Sequence, residues 1–281
     1  MNKRVFSFEF YPPKTPAGKD KLRATWKELA LLKPRFFSVT FGAGGSTQQG
    51  TIDTVREIRA AGHEAAPHLS CVASSKSEIA SILGQYKADG IRHIVALRGD
   101  LPSGVAMAGE LRHADELVAF IRDRTGDWFS IDVACYPEYH PQTRNAADEV
   151  KNFKKKVDAG ANAAITQYFY NADAYFRFVD ECRAAGIGIP IVPGIMPIGN
   201  FSQLARFSDA CGAEIPRWMR LKFESFLDDS ASIRSFGLDV VSALCDKLLA
   251  AGAPGLHFYT LNKAALTTEI WQRLGLSSRD G

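Results

Sequence analysis

Two carboxylates, Glu9 and Asp100, each come at the end of a short apolar run that is typical of a β-strand. In a parallel barrel the carboxyl ends of all strands meet at one mouth, where functional side chains collect. The pattern therefore predicts an active-site rim that carries two acids. Later apolar runs also end on polar or aromatic side chains, at residues 36–40, 65–68, 131–136, 163–167 and 256–259.

Glu9 lies between Phe8 and Phe10, so strand alternation would turn the acid into the barrel while both rings pack outward. Burial among apolar groups would raise the pKa of Glu9 and make it a proton donor near neutral pH. A structural ion pair with an arginine of a neighbouring strand is the alternative.

Gly99, between Arg98 and Asp100, would let the backbone approach a ligand closely, although a surface turn explains the same residues. Gln167, at a strand end, offers the donor and acceptor that the edge of a heterocycle requires. The glycine-rich segment 41–47 matches neither a P-loop nor a dinucleotide fingerprint.

The basic run 151–156 contains four lysines and is amphipathic. It is either a solvated helix face or, near a barrel mouth, a site for a diphosphate, because lysine supplies point charge to phosphate oxygens. His68 and His140 have no H-E-x-x-H or H-x-H spacing, and we therefore expect no metal site.

The 281 residues are 46% hydrophobic with a net charge of +3, which gives no electrostatic reason to expect nucleic acid or membrane binding. No run approaches ~18 consecutive apolar residues. The five cysteines include no C-x-x-C pair, which favours reduced thiols. We expect a cytoplasmic protein.

Strand and helix patterns alternate about eight times, which predicts an α/β fold: a single (β/α)8 TIM barrel domain spanning 1–281, with the active site at the C-terminal strand ends. An open doubly wound sheet is the alternative, but its G-x-G-x-x-G motif is absent. Segment 211–230 fits the alternation poorly and predicts a short helix or lid. The predicted strands are 5–10, 36–41, 64–71, 93–98, 131–136, 163–169, 190–195 and 256–261. The predicted helices are 18–32, 49–61, 77–89, 114–124, 145–159, 172–185, 200–210, 230–251 and 263–274.

Nine motifs occur in the order found in one enzyme family, and together the chain resembles the bacterial, flavin-dependent methylenetetrahydrofolate reductases. They are FEFYPP (8–13), SVTFGA (38–43), APHL (66–69), IRHIVALRGDLP (91–102), YPEYHP (136–141), KVDAGA (156–161), ITQ (165–167), PGIMP (193–197) and HFYTLN (257–262).

The resemblance implies a barrel that holds FAD and reduces 5,10-methylenetetrahydrofolate to 5-methyltetrahydrofolate, with NADH or NADPH as hydride source in a ping-pong sequence. Glu9 matches the general acid that protonates N10 to open the five-membered ring. Asp100 matches an aspartate beside flavin and pterin, where its charge would favour a cationic intermediate.

Further residues fall on ligand-contacting positions of that family. Flavin contacts are implied for Thr40, Ala43, His68, Arg98, Gly99, Asp100, Tyr136, His140, Glu149 (or Asp148), Asn152, Lys155 and Lys156. Substrate contacts are implied for Glu9, Asp100, Gln167, Gln203, Phe207, Tyr259 and Lys263.

The chain also departs from the family. Arginine often stands where Lys263 is found, His113 occupies the region of an aromatic flavin contact, and no C-terminal regulatory domain is expected. Two alternatives remain: a flavin-free reductase of the same barrel family, and a non-redox pterin-binding barrel. The resemblance leaves NADH against NADPH open, and we expect a homo-oligomer.

Overall fold

The computed structural model describes residues 4–41, 45–72, 74–99, 109–143 and 145–277. Parallel strands alternate with helices along this part of the chain. The strands are β1 Val5–Phe10, β2 Phe36–Val39, β3 Ala65–Ser70, β4 His93–Leu97, β5 Ser130–Cys135, β6 Ala163–Thr166, β7 Ile191–Val192, β8 Gly194–Ile195 and β9 Gly255–Tyr259. The helices are α1 Pro16–Ala30, α2 Gly45–Ala60, α3 Lys76–Ala88, α4 Ala114–Thr125, α5 Ala146–Asp158, α6 Ala172–Ala184, α7 Phe201–Cys211, α8 Arg217–Ser225, α9 Ser230–Ala250 and α10 Ala265–Arg273.

The barrel is brought to near closure by β7 and β8, which are two halves of the predicted strand 190–195. The strands lie in the order β7-β6-β5-β4-β3-β2-β1-β9-β8. Pro193 separates the halves, because proline has no N–H to donate to a sheet. β7 pairs with β6 and β8 with β9, while the Pro193 carbonyl accepts from His257 N at 3.0 Å. The predicted (β/α)8 TIM barrel is thereby confirmed.

Alternation along β1 separates two environments. Phe6, Phe8 and Phe10 are buried against the helical layer, and the Phe6 ring lies 4.9 Å from the Trp271 ring of α10. A smaller apolar cluster of Phe36, Ala66, Val95 and Ile165 fills the barrel interior. The inward face of β1 therefore begins beside this apolar cluster and ends at the barrel mouth with Glu9.

Helix ends follow the predicted glycines, because only a residue without Cβ adopts the left-handed conformation without strain. The glycines that follow α2, α3, α5, α6 and α9 all have positive φ: Gly62, Gly90, Gly160, Gly186 and Gly252.

Two boundaries, the end of β6 and the start of α2, differ from the sequence-based expectation. β6 ends at Thr166 rather than at 169, because the Gln167 side-chain oxygen accepts from Tyr168 N at 3.0 Å and replaces a strand partner. α2 begins at Gly45, within the glycine-rich segment expected to be a loop. Segment 211–230, predicted to be a short helix or lid, contains a helix, α8. No helix in the described ranges is long and apolar enough to cross a bilayer.

Candidate active site

Glu9 lies at the C-terminal end of β1 and faces two imidazoles across the barrel mouth. Its Oε2 is 3.3 Å from Nε2 of His68 on β3 and 3.5 Å from Nε2 of His257 on β9. Both imidazoles are buried, whereas 18% of the Glu9 side chain is exposed. The two histidines therefore hold the Glu9 carboxyl group from inside the barrel, while its other side is open to solvent.

Ser7 fixes the His257 ring from below. The Ser7 hydroxyl lies 2.7 Å from His257 Nδ1, and Ser7 is two residues before Glu9 on the same face of β1. A hydroxyl that donates to Nδ1 leaves the proton of a neutral imidazole on Nε2, directed at Glu9. Sequence reasoning missed both Ser7 and His257 as site residues. The signal was their two-residue spacing from Glu9 and from Tyr259.

The expectation that Glu9 has a raised pKa is wrong for the protein on its own. Burial alone would raise it, but His68 and His257 outweigh burial and lower the pKa of Glu9. Burial lowers the pKa of His68 in turn, so we assign it as a neutral ring near pH 7. Of the two rings, His257 is within hydrogen-bonding geometry of the Glu9 carboxylate, whereas His68 favours the carboxylate electrostatically.

A second part of the mouth is an open cavity of about 360 Å³ between β4, β5 and α5. It brings together eight of the twelve residues predicted to contact a flavin. These are Arg98, Gly99, Tyr136, His140, Glu149, Asn152, Lys155 and Lys156. His113, whose role the sequence left open, also lines it. Thr40 instead directly follows β2, where its N–H donates to Phe10 O at 2.9 Å, beside β1. Ala43 and Asp100 lie outside the described residues.

The lysine run divides between this cavity and solvent. Lys155 and Lys156 line the cavity, and Lys156 Nζ donates to the Ala134 carbonyl at 2.7 Å. Burial lowers the pKa of Lys156. Lys154 instead faces away and pairs with Asp158 at 2.7 Å. The run therefore has a side that lines the cavity and a side that faces solvent, and the diphosphate site stays a prediction.

Glu149 lines the cavity but has a clear internal role. It is buried, and its Oε2 accepts from the Thr143 hydroxyl at 2.8 Å and from His140 N at 3.2 Å. The carboxylate therefore orders the loop between β5 and α5, which carries Tyr136 and His140.

Gly99 is required by packing. Its φ is +84°, and a Cβ at this position would overlap the side chains of Ser70 and Val72. The Ser70 hydroxyl donates to the Arg98 carbonyl at 2.8 Å, which holds the end of β4 against β3. The absence of a side chain at Gly99 thus serves the meeting of two strand ends, a role that neither of the two sequence-based readings, close approach to a ligand and a surface turn, included.

The predicted substrate contacts occupy two neighbouring places. Gln203, Phe207 and Lys263 line a groove of about 180 Å³ beside α7. Tyr259 stays at the barrel mouth, where its hydroxyl donates to the Thr166 carbonyl at 2.7 Å. Gln167 uses its side-chain oxygen on Tyr168 N, which leaves the amide N–H₂ group for a ligand.

Comparison with known proteins identifies related sequences and folds. The sequence model for methylenetetrahydrofolate reductase matches residues 1–275. The chain is 41% identical to 5,10-methylenetetrahydrofolate reductase of Salmonella typhimurium, covering 96% of this chain and 90% of the relative. It is 43% identical to the Buchnera aphidicola protein of the same name (subspecies Schizaphis graminum), over 96% and 91%.

Among solved structures, an uncharacterized Clostridium thermocellum protein that binds two copies of 5-methyl-5,6,7,8-tetrahydrofolic acid has a TM-score of 0.66. It shares 16% sequence identity, with 98% of this chain and 95% of that one covered, and at that identity the likeness supports the fold alone. The match along the sequence carries the assignment: this chain belongs to the methylenetetrahydrofolate reductase family.

Proposed function

We propose that the protein reduces 5,10-methylenetetrahydrofolate to 5-methyltetrahydrofolate, with FAD as cofactor and NADH or NADPH as hydride source. The observation that carries this proposal is the Glu9 carboxyl group, held at the barrel mouth by two buried histidines in a chain of this family. This reaction of one-carbon metabolism consumes a proton and a hydride, and Glu9 would donate the proton.

The proton is needed because the five-membered ring of the substrate opens only when N10 becomes a leaving group. Glu9 gives its proton to N10, the bond between N10 and the methylene carbon breaks, and its electron pair stays on N10. A cationic iminium at N5 remains, ready to accept hydride at carbon. The negative charge then left on Glu9 is stabilised by His68 and His257, which already favour the carboxylate.

A bound substrate also supplies the change in pKa that a general acid requires. The exposed 18% of the Glu9 side chain is the part that a ligand would cover. Loss of that water disfavours the carboxylate and raises the pKa toward neutrality. The lowered pKa in the free protein and the acid role therefore belong to different states of the site.

The cavity beside α5 fits the diphosphate of a dinucleotide. Arg98, Lys155 and Lys156 bring positive charge to it, and among the described residues Lys156 donates to a backbone carbonyl. An anion would compensate that ammonium better than a carbonyl does. Bound FAD would supply the hydride, while these residues would hold its phosphates.

The two alternatives fit these observations less well. A flavin-free reductase has no use for a basic cavity beside the pterin site. A non-redox pterin-binding barrel has no use for a carboxyl group placed against two imidazoles. In line with this reading we propose one catalytic barrel spanning 1–281 that works as a homo-oligomer.

The visible spectrum of the purified protein, recorded without oxygen, tests the proposal. We expect a flavin band that bleaches on addition of NADH or NADPH and returns on addition of methylenetetrahydrofolate. A colourless protein that takes up no added FAD yet oxidises nicotinamide with folate would identify a flavin-free reductase. A protein that binds folate without either oxidation would identify the pterin-binding barrel.

A further inference from the structure

The β5–α5 loop, residues 136–143, is joined to the C-terminal end of α7 by one carboxyl group. Tyr136 and His140 line the cavity beside α5, whereas Glu138 between them faces a small cleft against α7. Glu138 Oε2 accepts from the backbone N–H of Glu214 at 2.8 Å. Glu138 Oε1 is buried and has no hydrogen-bond partner among the described residues. The carboxyl group therefore makes the connection with one oxygen, while the other is shielded from water.

The two segments pack closely around this carboxyl group. Gly212 follows α7 with φ of +76°, and a Cβ there would lie 3.0 Å from the Pro141 ring of the loop. Tyr139, also in the loop, has φ of +72°, a left-handed conformation that a residue other than glycine keeps only where its surroundings fix it. Arg177 of α6 donates to the Pro137 carbonyl at 3.2 Å and holds the start of the loop. The loop and the end of α7 therefore have a fixed relative position.

The surroundings of Glu138 favour its neutral form. Burial is the largest cause and raises the pKa of Glu138 to about 7. The Glu214 carboxylate adds to this effect, whereas the Glu214 N–H and the Arg177 guanidinium oppose it. When Glu138 loses its proton, a carboxylate oxygen without a donor lies buried near a second negative charge, which is unfavourable. The closed contact is therefore stable with a neutral Glu138 and strained with a charged one.

Other titratable groups also face Glu138. Tyr168 and Tyr170 follow β6 and interact with it, and burial raises the pKa of both tyrosines, so both stay neutral near pH 7. The Cys211 thiol of α7 lines the cleft and donates to the Tyr168 hydroxyl at 3.4 Å. His140 belongs to the same loop but lines the cavity beside α5. Among these groups, the Glu138 carboxyl group is the one whose pKa burial moves into the neutral range.

We propose that Glu138 is a positioning residue whose carboxyl group latches the β5–α5 loop to the end of α7 when protonated and releases it when ionised. Opening would surround the carboxylate with water and remove the unfavourable burial of its charge. The loop carries Tyr136 and His140, predicted cofactor contacts, and α7 carries Gln203 and Phe207, predicted substrate contacts. On the function proposed above, the latch thus sets the cofactor and substrate parts of the site relative to each other.

The pKa values of Glu138 in the closed and open forms determine how strongly pH acts on the latch. The pKa is about 7 in the closed form and returns to the ordinary 4.5 in an open form where water surrounds the carboxyl group. The stabilisation of the closed form is fully present below pH 4.5 and is lost as the pH rises through about 7. The ratio of open to closed protein should therefore rise about tenfold between about pH 6 and pH 8, and level off at higher pH.

Hydrogen exchange of the purified protein, followed by mass spectrometry between about pH 6 and pH 9, measures this opening. The readout is the exchange of peptides that contain the Glu214 amide, corrected for the intrinsic change of exchange rate with pH. For the wild type we expect corrected exchange about tenfold faster at pH 8 than at pH 6. Glu138→Gln has the shape of the protonated acid but cannot ionise, so its corrected exchange should not respond to pH.

Two further variants identify the charge that drives opening. Glu214→Gln removes the neighbouring carboxylate but keeps the backbone N–H that donates to Glu138, so the response to pH should be smaller than in the wild type. Asp209→Asn is the matched control, because it removes an exposed acid of α7 that lies outside the cleft, and the full response should remain.

A wild type whose corrected exchange does not respond to pH in this range, or a response that persists in Glu138→Gln, would overturn the inference. Neither outcome depends on flavin or folate, so the function proposed above would be left intact. With turnover established, KM for methylenetetrahydrofolate should rise with pH in the wild type relative to Glu138→Gln across the same range. Equal KM profiles in the two proteins would overturn the positioning role.

Discussion

Replacing Glu9 by glutamine should separate the two halves of the reaction. The amide has the shape of the acid and keeps a group between His68 and His257, but it has no proton to give at neutral pH. Nothing in the basic cavity beside α5 changes. FAD binding and flavin reduction by NADH or NADPH should therefore survive, whereas oxidation of reduced flavin by methylenetetrahydrofolate should fail.

The expected size follows from what a positioned proton donor contributes. General acid catalysis is worth about 10²- to 10⁴-fold, or about 3–5 kcal/mol of transition-state stabilisation. The upper part of this range is expected here, because the two histidines hold the carboxyl group in place and only 18% of it is exposed for water to substitute as donor.

Rapid mixing without oxygen measures the two half-reactions separately through flavin absorbance. Ser7→Ala is the matched control: it disturbs His257 through the 2.7 Å contact but leaves the carboxyl group in place, so its folate half-reaction should slow by less than about tenfold. A folate half-reaction within threefold of wild type in Glu9→Gln would refute the general-acid role, and so would equal losses in both variants.

Three other changes probe the cofactor cavity, the barrel floor and the mouth. Lys156→Met should weaken FAD binding by about tenfold in a fluorescence titration of apoprotein, because it removes a partly buried cation from the cavity, while Lys154→Met on the solvent side of α5 should not. Burial alone would lower the pKa of His93, but Asp132, 3.0 Å away, outweighs burial and raises that pKa. The pairing of His93 with Asp132 therefore stabilises the folded protein below about pH 6.5, and this stabilisation is lost as the pH rises through the raised pKa. Asp132→Asn should therefore lower the free energy of unfolding in urea by about 2 kcal/mol at pH 6 and by much less at pH 9. Gly194→Ala should lower that free energy by about 2 kcal/mol at any pH, since its Cβ would meet the Tyr259 ring and the Thr166 carbonyl; an unchanged urea midpoint would contradict this packing.

Much of the barrel is visible in the sequence because local patterns carry it. Two-residue alternation placed Phe8 and Phe10 outward and Glu9 inward, as the structure has them. Helical spacing and capping glycines located nearly all helices, and only the glycine-rich start of α2 and the segment with α8 were misjudged or left open. The convergence of strand ends at one mouth follows from parallel topology alone, which is why eight predicted flavin contacts line one cavity.

Only the tertiary structure decided what those residues meet. His257 is 248 residues from Glu9 and 250 from Ser7, and no local pattern reports which rings face an acid after the barrel closes. The sequence predicted a raised pKa for Glu9, whereas the structure lowers it. The sign of the shift depends on His68 of β3 and His257 of β9 rather than on burial among the flanking aromatics. The division of the lysine run and the pairing of Arg234 with Glu269 likewise depend on side chains brought together by strand register and helix packing. Periodicity determines which face a residue occupies, whereas the charge it carries and the partner it binds are set by contacts distant in sequence.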